Sequence, residues 1–236
     1  MNRYFNILFF IGLLLLTSTC QKAPPSIPEC DEDIIPTNLA FDQELFLEIA
    51  FDQEFGQSAS GLRKWEKEIL IFAEGKLDNF AVTELNTVLA ELNGLNESGT
   101  SLTLTQNKSD ANLNVFFGTK ADYVEELAPE AAGFAEGNSG FVTIAWNQQL
   151  EITRAIVCVD NINNTDQALL RHIIREEMAQ ALGLINDTFL EENTIFYEGF
   201  SNLEAYSAFD KKVIGLMLGN ELRAGMCVSE VLLFLE

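Results

Sequence analysis

The sequence predicts a layered domain of the α/β or α+β kind, and three observations carry that prediction. Five short stretches between Lys67 and Asp160 alternate apolar and polar residues or run apolar throughout. Two longer stretches, before Gly94 and before Gly183, carry apolar residues at helical spacing. In chain order these give strand, helix, four strands, helix, followed by a loop-rich tail with one more helix.

Each element has its own local signal. The stretch FDQELFLEIAFDQEF, residues 41–55, repeats FDQE at a ten-residue interval and places Phe41, Leu45 and Ile49 on one helical face. It reads as an amphipathic helix packed on the domain, with a repeated interaction motif as the other reading. KEILIFAEG reads as the first strand. AVTELNTVLAELNGL then sets Leu85, Val88, Leu89, Leu92 and Leu95 at helical spacing and stops at Gly94 or shortly after, before the loop NESGT. SLTLTQ, ANLNVFFG and, after the glycine-rich loop GFAEGNSG, FVTIAWN alternate as half-buried strands do. RAIVCVD is apolar almost throughout and suits a central strand covered on both faces. NINNTDQ offers Asn and Thr as N-caps for a long helix that ends at Gly183, and FDKKVIGLMLG supplies the last helix.

The first residues are of a different kind. MNRYFNILFFIGLLLLTSTC sets Arg3 before an apolar run, Tyr4 to Leu16, that is too short for a bilayer crossing. It reads as a secretory signal. Leu16-Thr17-Ser18-Thr19-Cys20 resembles a loose bacterial lipobox, which implies cleavage after residue 19 and lipid on Cys20, with an ordinary signal peptide as the alternative. Several acyl chains on one residue anchor a protein stably where one chain does not. Residues 20–36 hold four of the five prolines and read as an extended lipidated tether. Residues 37–236 then read as a single domain. Gln21 after Cys20 resembles signals for transfer to an outer membrane, so the expected place is the cell envelope, attached to the membrane through Cys20.

The formal charge of −22, or −23 once Arg3 is removed, argues against nucleic acid and anionic membrane surfaces as ligands. An acidic, solvated surface is the plain reading. Beyond Cys20, the spacing of Cys30, Cys158 and Cys227 matches no zinc knuckle or redox pair. An export compartment permits one disulfide, for which Cys158 with Cys227 is the candidate pair, since Cys30 lies in the tether.

The long helix carries the chemistry. Leu169, Leu170, Ile173, Ile174, Met178, Ala181 and Leu182 form a broad apolar sector. Glu177 points near its centre, Gln180 falls inside it, Glu176 lies on its rim and His172 a little further round. A carboxylate aimed at a core is costly unless it is paired, protonated or bound to a cation.

The stretch REEMAQALGLIND, residues 175–187, resembles the metzincin zinc-peptidase signature H-E-x-x-H-x-x-G-x-x-H. In that register Glu177 is the catalytic glutamate and Gly183 the turn glycine, while Glu176, Gln180 and Asn186 stand where the family has its three histidine ligands. ANLNVFF and GFVTIAWN fall where matrixin-type members have comparable strands. Thr194-Ile195-Phe196-Tyr197 sits where the family makes its Met-turn, with Phe196 in place of methionine. The stretch also resembles a domain-of-unknown-function family of exported bacterial proteins that carries E-x-x-Q-x-L-G-L-x-N-D. The resemblance implies an α+β fold: a mixed sheet of about five strands with two main helices over residues 65–185, and a loop-rich C-terminal subdomain over 186–236.

It also bounds the chemistry. Metzincins hold zinc by three imidazoles and leave a place for water, which the motif glutamate deprotonates. One carboxylate and two amides are weak zinc ligands, so no metal is expected. Zinc remains an alternative through His172 with Glu176, and calcium through the oxygen donors, with Asp187 adding a carboxylate. The lone histidine also leaves no Ser-His-Asp triad. The expectation is a non-catalytic pseudopeptidase that binds a peptide or protein along GFVTIAWN, in a groove with His172, Gly183, Asp187, Phe196 and Tyr197. An atypical active metallopeptidase with Glu177 as general base, and a structural envelope lipoprotein, are the alternatives.

Overall fold

A computed structural model describes residues 30, 38–51, 61–96, 99–133, 138–199 and 201–235. The signal stretch, Cys20, nearly all of the tether, most of the second FDQE and part of the glycine-rich loop lie outside the described residues. The elements are α1 (Phe41–Phe51), β1 (Ile69–Gly75), α2 (Asn79–Gly94), β2 (Leu102–Leu104), β3 (Leu113–Phe117), α3 (Lys120–Glu126), β4 (Gly140–Trp146), β5 (Ile152–Val159), α4 (Gln167–Gln180), α5 (Ala208–Leu218) and α6 (Val228–Val231). The fold is α+β, as the order of elements predicts. None of these helices is long and apolar enough to cross a membrane.

The five strands form one sheet in the order β2-β1-β3-β5-β4. The first three pairings are parallel, and β4 closes the sheet antiparallel to β5, with a register shift between Ala145 and Trp146. GFVTIAWN is therefore an edge strand. The apolar run RAIVCVD lies one strand in from that edge, with β3 at the centre.

Side chains of a strand alternate between faces, and that alternation separates two cores. Leu113, Val115 and Phe117 of β3 and Ala155, Val157 and Val159 of β5 join the main core with α1, α2, α4 and α5. Phe116, Phe141, Ile156 and Cys158 enter a smaller cluster on the other face with Tyr123 of α3. Strand β5 is thus covered on both sides, which explains its unbroken apolar sequence.

Helix α3 is absent from the expected order of elements. It has seven residues and buries only Tyr123, too short a pattern to show a period of 3.6. The cap of α4 also differs from expectation: the Asp166 side chain accepts from Ala168 N at 2.9 Å, in place of Asn or Thr. A larger correction concerns the cysteines. Cys30 is bonded to Cys227, and Cys158 is a free, buried thiol. Cys158 points into the cluster under α3, so it has no access to Cys227, and Cys30 is covalently fastened to the start of α6.

Candidate functional site

Helix α4 packs on β4 and β5 and against α2, and its polar residues divide by the face they meet. Arg175 is buried against α2. Its guanidinium donates to Glu84 and, at 3.0 and 3.1 Å, to both carboxylate oxygens of Glu91. Tyr206 donates to the Arg175 carbonyl at 3.0 Å.

Glu177 faces the sheet and is 5% exposed. Its side chain lies across the first residue of β4: a Cβ on Gly140 would stand 2.3 Å from Glu177 Oε1 and 2.5 Å from Ile173 Cγ2. Only glycine leaves room for this carboxylate. Burial pushes the Cys158 thiol far up, with the charges of Glu177 and Asp160 adding to it, so that cysteine is protonated and inert as a nucleophile.

The other residues read from the sequence fall into two pairs. His172 is buried, with Nδ1 at 3.2 Å from the Leu203 carbonyl and Nε2 at 3.5 Å from Glu176 Oε2. Burial lowers its pKa below the ordinary 6.5, against the opposing pull of the Leu203 carbonyl and Asp210. The imidazole is therefore neutral at pH 7. Gln180 donates through Nε2 to Asp187 Oδ1 at 2.8 Å, and Asn186 donates through Nδ2 to the Asp187 carbonyl at 2.8 Å. Among the described residues no group of three or more His, Cys, Asp or Glu is placed to hold a metal ion. A zinc ion does not fit this donor set, because only one imidazole is present and amide groups are engaged with Asp187.

Gly183 has φ +111°, and a Cβ there would stand 2.3 Å from the Arg63 carbonyl. It turns the chain out of α4 as the sequence suggests. Trp65 Nε1 donates to the Ala181 carbonyl at 2.8 Å and closes the helix end. Phe196 is fully buried below the site and Tyr197 half-buried. Above the turn, the Phe189 ring meets Tyr197 edge-on at 6.3 Å while remaining 66% exposed.

Three residues that position the site are not visible from α4 alone. Gly140 needs the sheet pairing to be noticed, and Phe189 belongs to the turn over Tyr197. Asp210 is fully buried and accepts from Thr194 Oγ1, Ile195 N at 3.2 Å and Ser207 N at 2.7 Å, so it pins the 194–196 turn to the start of α5. Its signal was legible, since Ser207-x-x-Asp210 is a capping-box spacing.

Fold and site together define an α+β domain with a polar helix face set beside an antiparallel edge strand. The chain belongs to the family DUF2927, described as a protein of unknown function, whose sequence model matches residues 40–236. No curated protein matches it in sequence. Among solved structures, one of myroilysin is 11% identical with a TM-score of 0.42, covering 67% of this chain and 97% of that one. A crystal structure of myroilysin is 12% identical with a TM-score of 0.43, covering 66% and 85%.

Proposed function

We propose that the protein is a lipid-anchored envelope protein whose metzincin-like domain binds an extended peptide or protein segment without hydrolysing it. The observation that carries this reading is the state of the motif positions. Gln180 and Asn186 hydrogen-bond to Asp187, and Glu176 meets a buried, neutral His172, while Glu177 lies against Gly140 at the start of the edge strand β4. Strand addition to β4 needs backbone groups and an open edge, and no metal. The Cys30–Cys227 bond supports an oxidising compartment, in keeping with export and lipid on Cys20.

The test pairs metal analysis with capture. The protein, purified without chelator or histidine tag, is assayed for bound metal by mass spectrometry before and after soaking in zinc and calcium, then exposed to an immobilised array of extended peptides. The expected result is no near-stoichiometric zinc, together with peptide capture that EDTA leaves intact and a Val142→Pro change on β4, which removes a backbone N–H, abolishes. Near-stoichiometric zinc with proteolysis that chelator stops and Glu177→Gln abolishes would replace this reading with an active metallopeptidase.

A further inference from the structure

Away from α4, a cavity of about 410 Å³ opens where the chain enters β1 and β2, toward the sheet edge opposite β4. Its lining is nearly all polar, with Leu222 the one apolar side chain. Lys64, Lys67 and Arg223 line it, three of only 14 Lys and Arg in a chain of charge −22. Such a concentration of cations runs against the charge of the molecule. Glu66 and Glu68 line it as well.

Glu66 and Glu221 act on Lys64 through space, without a contact ion pair. None of Lys64, Lys67 and Arg223 enters an ion pair among the described residues. Glu66 accepts from Ala224 N at 2.6 Å and Glu68 from Thr103 Oγ1 at 3.0 Å, both of them neutral donors. Lys64 is the unusual member. It is 2% exposed, and its ammonium, with three N–H groups, meets one protein acceptor, the Trp65 carbonyl at 3.2 Å. A buried ammonium short of acceptors is costly to keep, and an anionic ligand group offsets that cost.

We infer that this cavity binds a small zwitterion, a free amino acid or short peptide, with its carboxylate toward Lys64, Lys67 and Arg223 and its ammonium toward Glu66 and Glu68. A ligand of one sign alone would meet repulsion from half of the lining, whereas a zwitterion meets both sets. The cavity size is that of small-molecule sites in general. Burial also lowers the Lys64 pKa from 10.5, against the pull of Glu66 and Glu221, and a bound carboxylate would raise it again. The inference stands on this cavity alone and does not depend on the reading of α4 and β4.

The test is calorimetric titration of the purified protein with L-alanine and L-alanyl-L-alanine. At least one binds with a stoichiometry of one. Acetylating the amine or amidating the carboxylate of the dipeptide weakens binding by about tenfold or more, the usual effect of losing a charge-assisted hydrogen bond. Lys64→Met abolishes binding, and the exposed changes Lys67→Ala and Arg223→Ala, which do not threaten folding, each weaken it. Glu177→Gln leaves it unchanged, which separates this cavity from the β4 edge. No heat with either compound, acetate binding as tightly as the dipeptide, indifference to both exposed changes, or loss on Glu177→Gln would each overturn the assignment.

Discussion

Gly140 decides where the Glu177 carboxylate stands, because any side chain on the first residue of β4 would occupy the space of Oε1. Gly140→Ala is therefore expected to destabilise the fold by about 1–3 kcal/mol, the usual range for overpacking a core site. Urea denaturation measures it, and Glu177→Ala in the same chain should recover part of the loss through direct coupling. Additive costs would mean that the two residues do not touch. His172 gives a second test at this scale. Its native pKa lies below 6.5, so below that pH the unfolded chain binds a proton that the folded chain refuses. Stability is then complete above 6.5 and falls as the pH drops from 6.5 toward the lower native value. With one histidine in the chain, its proton resonance reports the native titration without ambiguity. A native midpoint at or above 6.5 would refute the assignment, and His172→Gln should flatten the slope. The helical wheel showed that Glu177 faces inward, because that depends only on local periodicity. It could not show Gly140, whose role exists only after β4 is laid beside α4.

At the scale of elements, α4 is held by contacts that no single stretch announces. Arg175 reads as one more charged residue in a helix, yet it is 3% exposed and joins α4 to α2 through Glu84 and Glu91, more than eighty residues away. Removing one partner of a buried pair leaves an uncompensated charge. Arg175→Ala should cost about 3–5 kcal/mol, by that principle. Glu91, with its side chain 36% exposed, should cost under about 1 kcal/mol when changed to Gln, since solvent screens it. Equal losses in thermal or urea unfolding would show that the helix pair is not organised around Arg175. The strands were legible because each carries either its own alternation of two or, in β5, an unbroken apolar run, and the long helices because each runs for several turns. The unbroken apolar run of β5 announced burial on both faces, whereas helix α3, which supplies one of those covers, follows from neighbours: the second cluster exists only once Tyr123 meets Phe141 and Ile156.

For the whole molecule the deciding link is Cys30–Cys227, which joins positions 197 apart. Sequence reasoning set Cys30 aside because it sits in a proline-rich tether, and local composition says nothing about where a tether is fastened. The bond closes nearly the entire domain into one loop, so its loss should release chain entropy mainly in the unfolded state. For a loop of this size the entropic estimate is about 5 kcal/mol, and measured values are often smaller, about 2–4 kcal/mol. Cys227→Ser should therefore lower stability by an amount in that range while leaving circular dichroism of the native state unchanged, because α6 and its neighbours keep their apolar contacts with the main core. Reduction of the unaltered protein should give the same shift, and Cys30→Ser should match Cys227→Ser without adding to it in the double variant. Cys158→Ser tests the other side of the pairing. That thiol is buried and protonated, so it should resist labelling in the unaltered folded protein, and Cys158→Ser should leave the response to reductant unchanged. If Cys158→Ser instead abolished the effect of reductant, Cys158 would have to be one half of the disulfide, and the Cys30–Cys227 pairing would be refuted.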